Sequence, residues 1–234
     1  MELDPSDLST ATRYKLLTGV VTPRPIAFLS TRSPDGHDNL APFSFFNAAG
    51  MDPMSLVFCV GTPADGRDKD TLRNALPTNE GGLGCFVVNV AVEGYIRQLS
   101  ATAEELPYGE SELDLAGFTT AASRKVAAPR VAESPVSFEC ETTHVLRLGE
   151  GPASGTLVVG RCVHVWIRDD LLDERQRVNA DRLATVGRMA GSEYCRTRER
   201  FSLPRGRAAL DCDPPFPEDV GAANTRGADS ADVP

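Results

Sequence analysis

The sequence predicts a mainly β protein, an antiparallel barrel with peripheral helices. Short apolar runs recur along the chain with turn residues between them and few helical stretches. Strands linked that way pair with their neighbours rather than through crossover helices. The 234 residues include 20 glycines and 17 prolines, a surplus of turn formers. Neither the dinucleotide fingerprint GxGxxG nor the phosphate loop GxxxxGK followed by serine or threonine occurs, which removes the usual signs of a parallel nucleotide-binding sheet.

Taken in order, Leu8, Thr12, Leu16 and Leu17 fall near helical spacing and predict a leading helix over 6–17, with Ser6 or Asp7 as its N-cap. The apolar run 25–31 predicts a strand, closed by the turn Ser33-Pro34-Asp35-Gly36, where glycine supplies the positive φ. A second strand starts near Asn39. Residues 54–60 predict a buried strand bounded by Asp52-Pro53 and by Gly61-Thr62-Pro63. Residues 68–76 predict a helix capped by Asp68 or Asp70 and stopped by Pro77. The Gly-rich stretch 81–84 follows no strand and opens no helix, so it reads as a loop. A strand over 85–91 and a helix over 93–102 come next, then a long stretch, 103–135, with little periodicity. Strands over 136–148 and 156–168 are joined by the loose turn 149–155, and 182–189 reads as helical. One domain spans 1–204; residues 205–234 carry few large apolar side chains and read as a flexible tail.

Composition excludes several function classes. Hydrophobic residues make up 41% of the chain, enough for a sizeable core, and the net charge of −9 opposes a nucleic-acid surface. No apolar run approaches a membrane span, and the acidic, polar N-terminus has no signal-peptide pattern, so a soluble cytoplasmic protein is expected. The six cysteines form no CxxC pair and there are three histidines, so no metal site is expected. The cysteines read as reduced, mostly buried small residues.

Two segments look able to hold a ligand. Residues 39–49 break strand patterning with Pro42, small residues and three phenylalanines. Pro42 removes a ladder donor, so the strand leaves its ladder or runs at an edge there. Freed backbone groups beside Asn39, Ser44 and Asn47 suit a flat heteroaromatic ligand; an aromatic core strand with a bulge is the other reading. Residues 66–71 open a helix, where exposed N–H groups, the Thr71 hydroxyl and the charges of Arg67 and Lys69 suit a phosphate. A solvated capping segment is the alternative there. The histidines give no nucleophile–base set: His37 lies in a turn, and His144 and His164 lie on strand patterns.

The runs 22–31, 33–36 and 39–47 resemble the flavin-reductase-like, FMN-binding split-barrel proteins. So do 69–74, 86–89, 129–135 before Glu139-Cys140, 191–194, and Arg200-Phe201. That resemblance covers about residues 14–204. It implies a six-stranded Greek-key barrel that forms a homodimer with FMN at the subunit interface. By the same resemblance, Ser30 and Thr31 end the strand that approaches the FMN. Asn39, Ala41, Pro42, Phe43 and Ser44 line the isoalloxazine, and Asn47 closes that loop. Arg67, Lys69, Asp70 and Thr71 hold the phosphate end, and Tyr194 comes near the flavin. Where family members often carry histidine, this chain has Trp166, with His164 on the same strand face.

The expected activity is that of an NAD(P)H-dependent FMN reductase, with the cofactor carrying the chemistry rather than an acid–base set of the protein. Reduced flavin then leaves or serves a partner oxygenase, and Arg24 is a candidate to attract nicotinamide phosphates. The alternatives are an FMN-dependent oxygenase or oxidase, with 103–135 as a lid over an organic substrate, and an electron-transfer flavoprotein.

Overall fold

Strand β1 (Ala27–Arg32) shows how this sequence builds a barrel wall. Ala27 and Leu29 enter one apolar cluster, with Leu56, Phe58, Phe86 and Val158. Phe28, between them, enters a second with Leu40, Tyr95 and Phe118. Alternate side chains on opposite faces are both buried, which is why the run reads as continuously apolar. Strand β5 (Cys85–Val90) behaves the same way: Phe86 and Val88 face the first cluster while Val87 packs against Ala128.

The computed structural model describes residues 1–107 and 109–212. The chain divides into Met1–Arg198 and Glu199–Pro234; the described part of the second unit holds a short 3-10 turn, Gly206–Asp211. The expected flexible tail lies mostly outside the described residues.

In the first unit a seven-stranded antiparallel sheet runs in the order β2 (Asp38–Phe43), β1, β5, β8 (Val136–Arg147), β9 (Gly155–Ile167), β4 (Met54–Gly61), β3 (Phe46–Met51). β2 and β3 are consecutive in the chain yet end the sheet on opposite sides, joined by Ser44 and Phe45. The sheet therefore curls until its edges approach. The Phe43 and Phe58 rings lie 5.9 Å apart, and Cys59 N–H donates to the Phe45 carbonyl at 2.8 Å. The seam between the two edges stays unzipped, so the barrel is split. Pro42 sits on edge strand β2, as its missing donor requires.

Several expectations change. The resemblance implies six strands and the sheet has seven; the stretch 39–49, read either as a break in strand patterning or as a bulged strand, supplies β2 and most of β3, which pairs with β4. The leading helix α1 is Thr10–Val20 and is capped by Ser9. Ser6 and Asp7 instead belong to a separate 3-10 turn capped by Asp4. Helix α2 is Asp70–Ala75 and its N-cap, Lys69, makes no side-chain cap, because Asp68 is turned to Arg147. Helix α3 (Ile96–Ala101) follows a 3-10 turn at Glu93–Tyr95. The stretch 103–135 contains helix α4 (Glu112–Ala116) and a two-stranded ribbon, β6 (Thr120–Ala121) with β7 (Arg130–Val131). Residues 182–189 are not one helix: α5 (Ala180–Leu183) ends at Ala184, and β10 (Val186–Arg188) pairs with β11 (Tyr194–Arg196). Of the six cysteines, all free, Cys85 and Cys140 are buried.

Candidate functional site

A cavity of about 610 Å³ lies where edge strand β2 meets the start of α2 and the segment before α4. Asn39, Ala41, Pro42 and Phe43 form one wall, and Arg67, Lys69, Asp70 and Thr71 another. Segments that are 24 residues or more apart are thus brought together, because β2 lies on the flank of the barrel that α2 covers.

Behind Asn39 and Thr71, which line the cavity, lies a hydrogen-bonded polar cluster. The Asn39 amide donates to Thr71 Oγ1 at 2.9 Å and to Thr31 Oγ1 at 3.2 Å, and Asn74 Nδ2 donates to Thr31 at 3.1 Å. These side chains are nearly free of solvent. Satisfied donors in a dry site hold one geometry, so Asn39 is locked between the two walls.

The charged rim is paired within the protein. Arg67 meets Asp65 at 2.7 Å, Lys69 meets Glu105 at 3.7 Å, and Arg73 meets Asp70 at 3.1 Å. The Arg147 guanidinium, bonded to Asp68, holds that carboxyl below its usual range. The rim pairs are solvent-exposed, so each holds its partner only weakly.

A third wall is supplied by Thr102, residues 103–107 and Glu112; sequence reasoning gave 103–135 only as a lid in the oxygenase alternative and singled out none of its residues. Glu112 is 8% exposed and lines the cavity, and its Oε2 accepts the Leu40 N–H at 2.9 Å. Burial pushes this carboxyl above its ordinary value, opposed by the Leu40 bond. A glutamate opening a short helix gives no sign of this in sequence, because its burial depends on β2, 72 residues earlier.

Other expected site residues sit elsewhere. Ser30, on the opposite face of β1 from Thr31, donates to the Pro129 carbonyl at 2.5 Å and accepts from Asn89. Ser44 accepts from Arg24 Nε at 3.2 Å, and Asn47 is exposed with its Oδ1 on the Ala48 N–H. Tyr194 packs beneath the Arg188 guanidinium, 4.5 Å from the ring centroid, with its hydroxyl 3.3 Å from Ser100.

Arg24 is turned inward, with its donors taken by the chain itself. It is 5% exposed and donates to the carbonyls of Thr18, Val21 and Met189, fastening α1 to the turn after β10. Only 103–107 and Glu112 of the expected lid border the cavity; Phe118 and Val131 belong to the second apolar cluster. His37 and His144 are exposed. Trp166 lies under Arg130, 4.6 Å from centroid to guanidinium carbon. His164 Nδ1 is buried 3.1 Å from Glu139 Oε1 and makes no hydrogen bond. Glu139 itself is fully buried and accepts the Arg124 and Lys125 N–H groups. Among the described residues no cluster suits a metal ion, and no helix is long and apolar enough to cross a membrane.

Comparison with known proteins converges on one family. The family described as flavin reductase like domain matches residues 20–187. An uncharacterized protein, BH2278, of Halalkalibacterium halodurans is 39% identical over 207 residues, covering 88% of this chain and 96% of its own. The crystal structure of nitrilotriacetate monooxygenase component B from Bacillus cereus is similar at 34% identity and a TM-score of 0.80, covering 87% of this chain and 98% of that one. That of the Pseudomonas fluorescens 2-nitrobenzoate 2-nitroreductase NbaA is similar at 30% identity and a TM-score of 0.77, covering 88% and 97%.

Proposed function

The chain belongs to the flavin reductase like family, and from that premise we propose that it is an FMN-binding NAD(P)H:flavin reductase. The observation that carries the reading is the cavity, which sets an apolar wall against one where Arg67 and Lys69 stand paired with carboxylates, around a fixed amide. Its volume lies in the range of small-ligand and cofactor sites. Ala41, Pro42 and Phe43 offer a flat apolar surface, and β2 is an edge strand whose outer backbone groups no neighbouring strand claims. Arg67 and Lys69 offer charge to a phosphate. A ring system joined to a phosphate fits such a site.

Bound FMN supplies the hydride acceptor for NAD(P)H. The residues of the chain do the rest: Asn39 orients, the β2 wall excludes water from one ring face, and Arg67 and Lys69 exchange carboxylate partners for phosphate. That exchange costs little because the pairs it replaces are exposed.

Component B of a monooxygenase is a neighbour over nearly its full length, which supports delivery of reduced flavin to a partner oxygenase. A second reading rests on the nitroreductase neighbour: the flavin stays bound and reduces an organic substrate held under the 103–107 wall. Steady-state assays separate them. The first reading expects NAD(P)H consumption that saturates with free FMN; consumption that needs a nitroaromatic and ignores free FMN supports the second.

The protein is also proposed to act as a homodimer in the cytoplasm. Helix α1 buries only Thr18 and leaves Tyr14, Leu17 and Val20 exposed, Val20 at 78%. A helix whose large apolar side chains stay uncovered among the described residues suits a second copy.

A further inference from the structure

Strands β8 and β9 bring two cysteines face to face. Glu139 pairs with His164 and Cys140 with Cys162, so the register skips Val163. That bulge sets the two cysteines directly opposite each other across the strands, where the even register of Glu139 with His164 would have paired Cys140 with Val163. Opposed residues of an antiparallel pair have Cα atoms about 4.5–5.5 Å apart, within the span a disulfide needs. The remaining strand cysteines face other residues: Cys59 faces Leu157, Cys85 faces Glu141 and Cys195 faces Gly187.

We propose that Cys140 and Cys162 form an oxidisable dithiol, in which partly exposed Cys162 reacts with hydrogen peroxide and buried Cys140 resolves it to a disulfide. The inference stands whether or not the chain binds flavin. Exposure sets the order of events, because Cys140 is fully buried and Cys162 is partly open. Each thiol donates to a carbonyl of its own strand, Cys162 to His164 at 3.4 Å and Cys140 to Phe138 at 3.7 Å, and the closeness of the pair pushes Cys162 down and Cys140 up.

In the first step the Cys162 sulfur attacks one peroxide oxygen and the O–O bond breaks. The leaving hydroxide takes the thiol proton as water, and Cys162 is left as a sulfenic acid. Cys140 sulfur then attacks Cys162 sulfur; the S–S bond forms as the S–O bond breaks, and the Cys140 proton leaves in a second water. Two thiols are oxidised by two electrons and one peroxide is reduced to two waters.

The test is peptide mapping of the full chain after exposure to hydrogen peroxide, alongside a thiol count in denaturant. The expected product joins the Cys140 and Cys162 peptides, and the six thiols fall to four. In Cys140→Ser the expected species is a Cys162 sulfenic acid that dimedone traps. Cys162→Ser is expected to slow thiol loss by about tenfold or more. The wild-type map decides even where a variant folds poorly. Six retained thiols, or a disulfide through any other cysteine, would overturn the proposal.

Discussion

Asn39 is where the two walls of the cavity meet, since one amide reaches Thr31 on β1 and Thr71 on α2. Replacing it with alanine leaves both hydroxyls without that donor and frees α2 from β2. Asn39→Ala is expected to weaken FMN binding by about tenfold, in line with about 1–1.5 kcal/mol for such a bond. Flavin fluorescence quenching reads this directly, and an unchanged affinity would place the flavin elsewhere. Glu112 makes a different prediction. Its folded proton affinity is raised by burial, so between the ordinary carboxylate range and its folded value the unfolded chain has released a proton that the folded chain keeps. Stability from this group is full below the ordinary range and is lost as pH rises through the folded value. Glu112→Gln keeps an acceptor for the Leu40 N–H and does not titrate. The melting temperature of the variant minus that of the wild type is therefore expected to grow as pH rises above the ordinary carboxylate range. A difference that stays flat with pH would mean Glu112 is no harder to ionise than a surface glutamate.

At the scale of elements, β9 carries a packing requirement at Gly160. A Cβ there would lie 2.2 Å from the Phe86 ring, which fills the barrel interior against Phe58. Gly160→Ala is expected to destabilise the protein by about 1–3 kcal/mol through overpacking. Urea denaturation measures it, and a loss near zero would show that the interior can give way. The elements best read from sequence are those with continuous burial: the apolar runs of β1, β5 and β4 predict strands because core contact on one or both faces leaves few polar positions. β3 was hidden because Asn47, Ala48 and Gly50 are exposed on it and small. Its pairing with β4 is set by the hairpin, not by its own side chains. Asp68 reads as a cap only until Arg147, 79 residues away, is known to take it. Helix α1 reads as a helix, yet its exposed apolar side is a property of the whole molecule. Val20→Glu on α1 is expected to shift the mass in solution from dimer to monomer without unfolding the chain. Light scattering that still reports a dimer would move the interface away from α1.

For the molecule as a whole, a split barrel keeps β2 as an edge and so leaves its wall open to a ligand. Closure of the seam would bury that wall, which is how the topology serves the site. Of the thirteen residues the sequence and its family resemblance select for cofactor contact, Asn39, Ala41, Pro42, Phe43, Arg67, Lys69, Asp70 and Thr71 line the cavity. Thr31 does not line it but lies buried behind Asn39, whose amide it accepts. The lining residues share two short runs, which is why motif reading finds them. Ser30, Ser44, Asn47 and Tyr194 lie outside the cavity of the single chain, and the wall made by Thr102, residues 103–107 and Glu112 carries no motif. Its place follows from the packing of α4 on β2.

The central claim is that this cavity holds FMN that NAD(P)H can reduce. The most direct measurement is the visible spectrum of the protein with one equivalent of FMN, before and after anaerobic addition of NADH or NADPH. The account predicts a perturbed flavin spectrum, weakened in Asn39→Ala, that bleaches with at least one of the two donors. A spectrum identical to that of free FMN, with no bleaching by either donor, would contradict it.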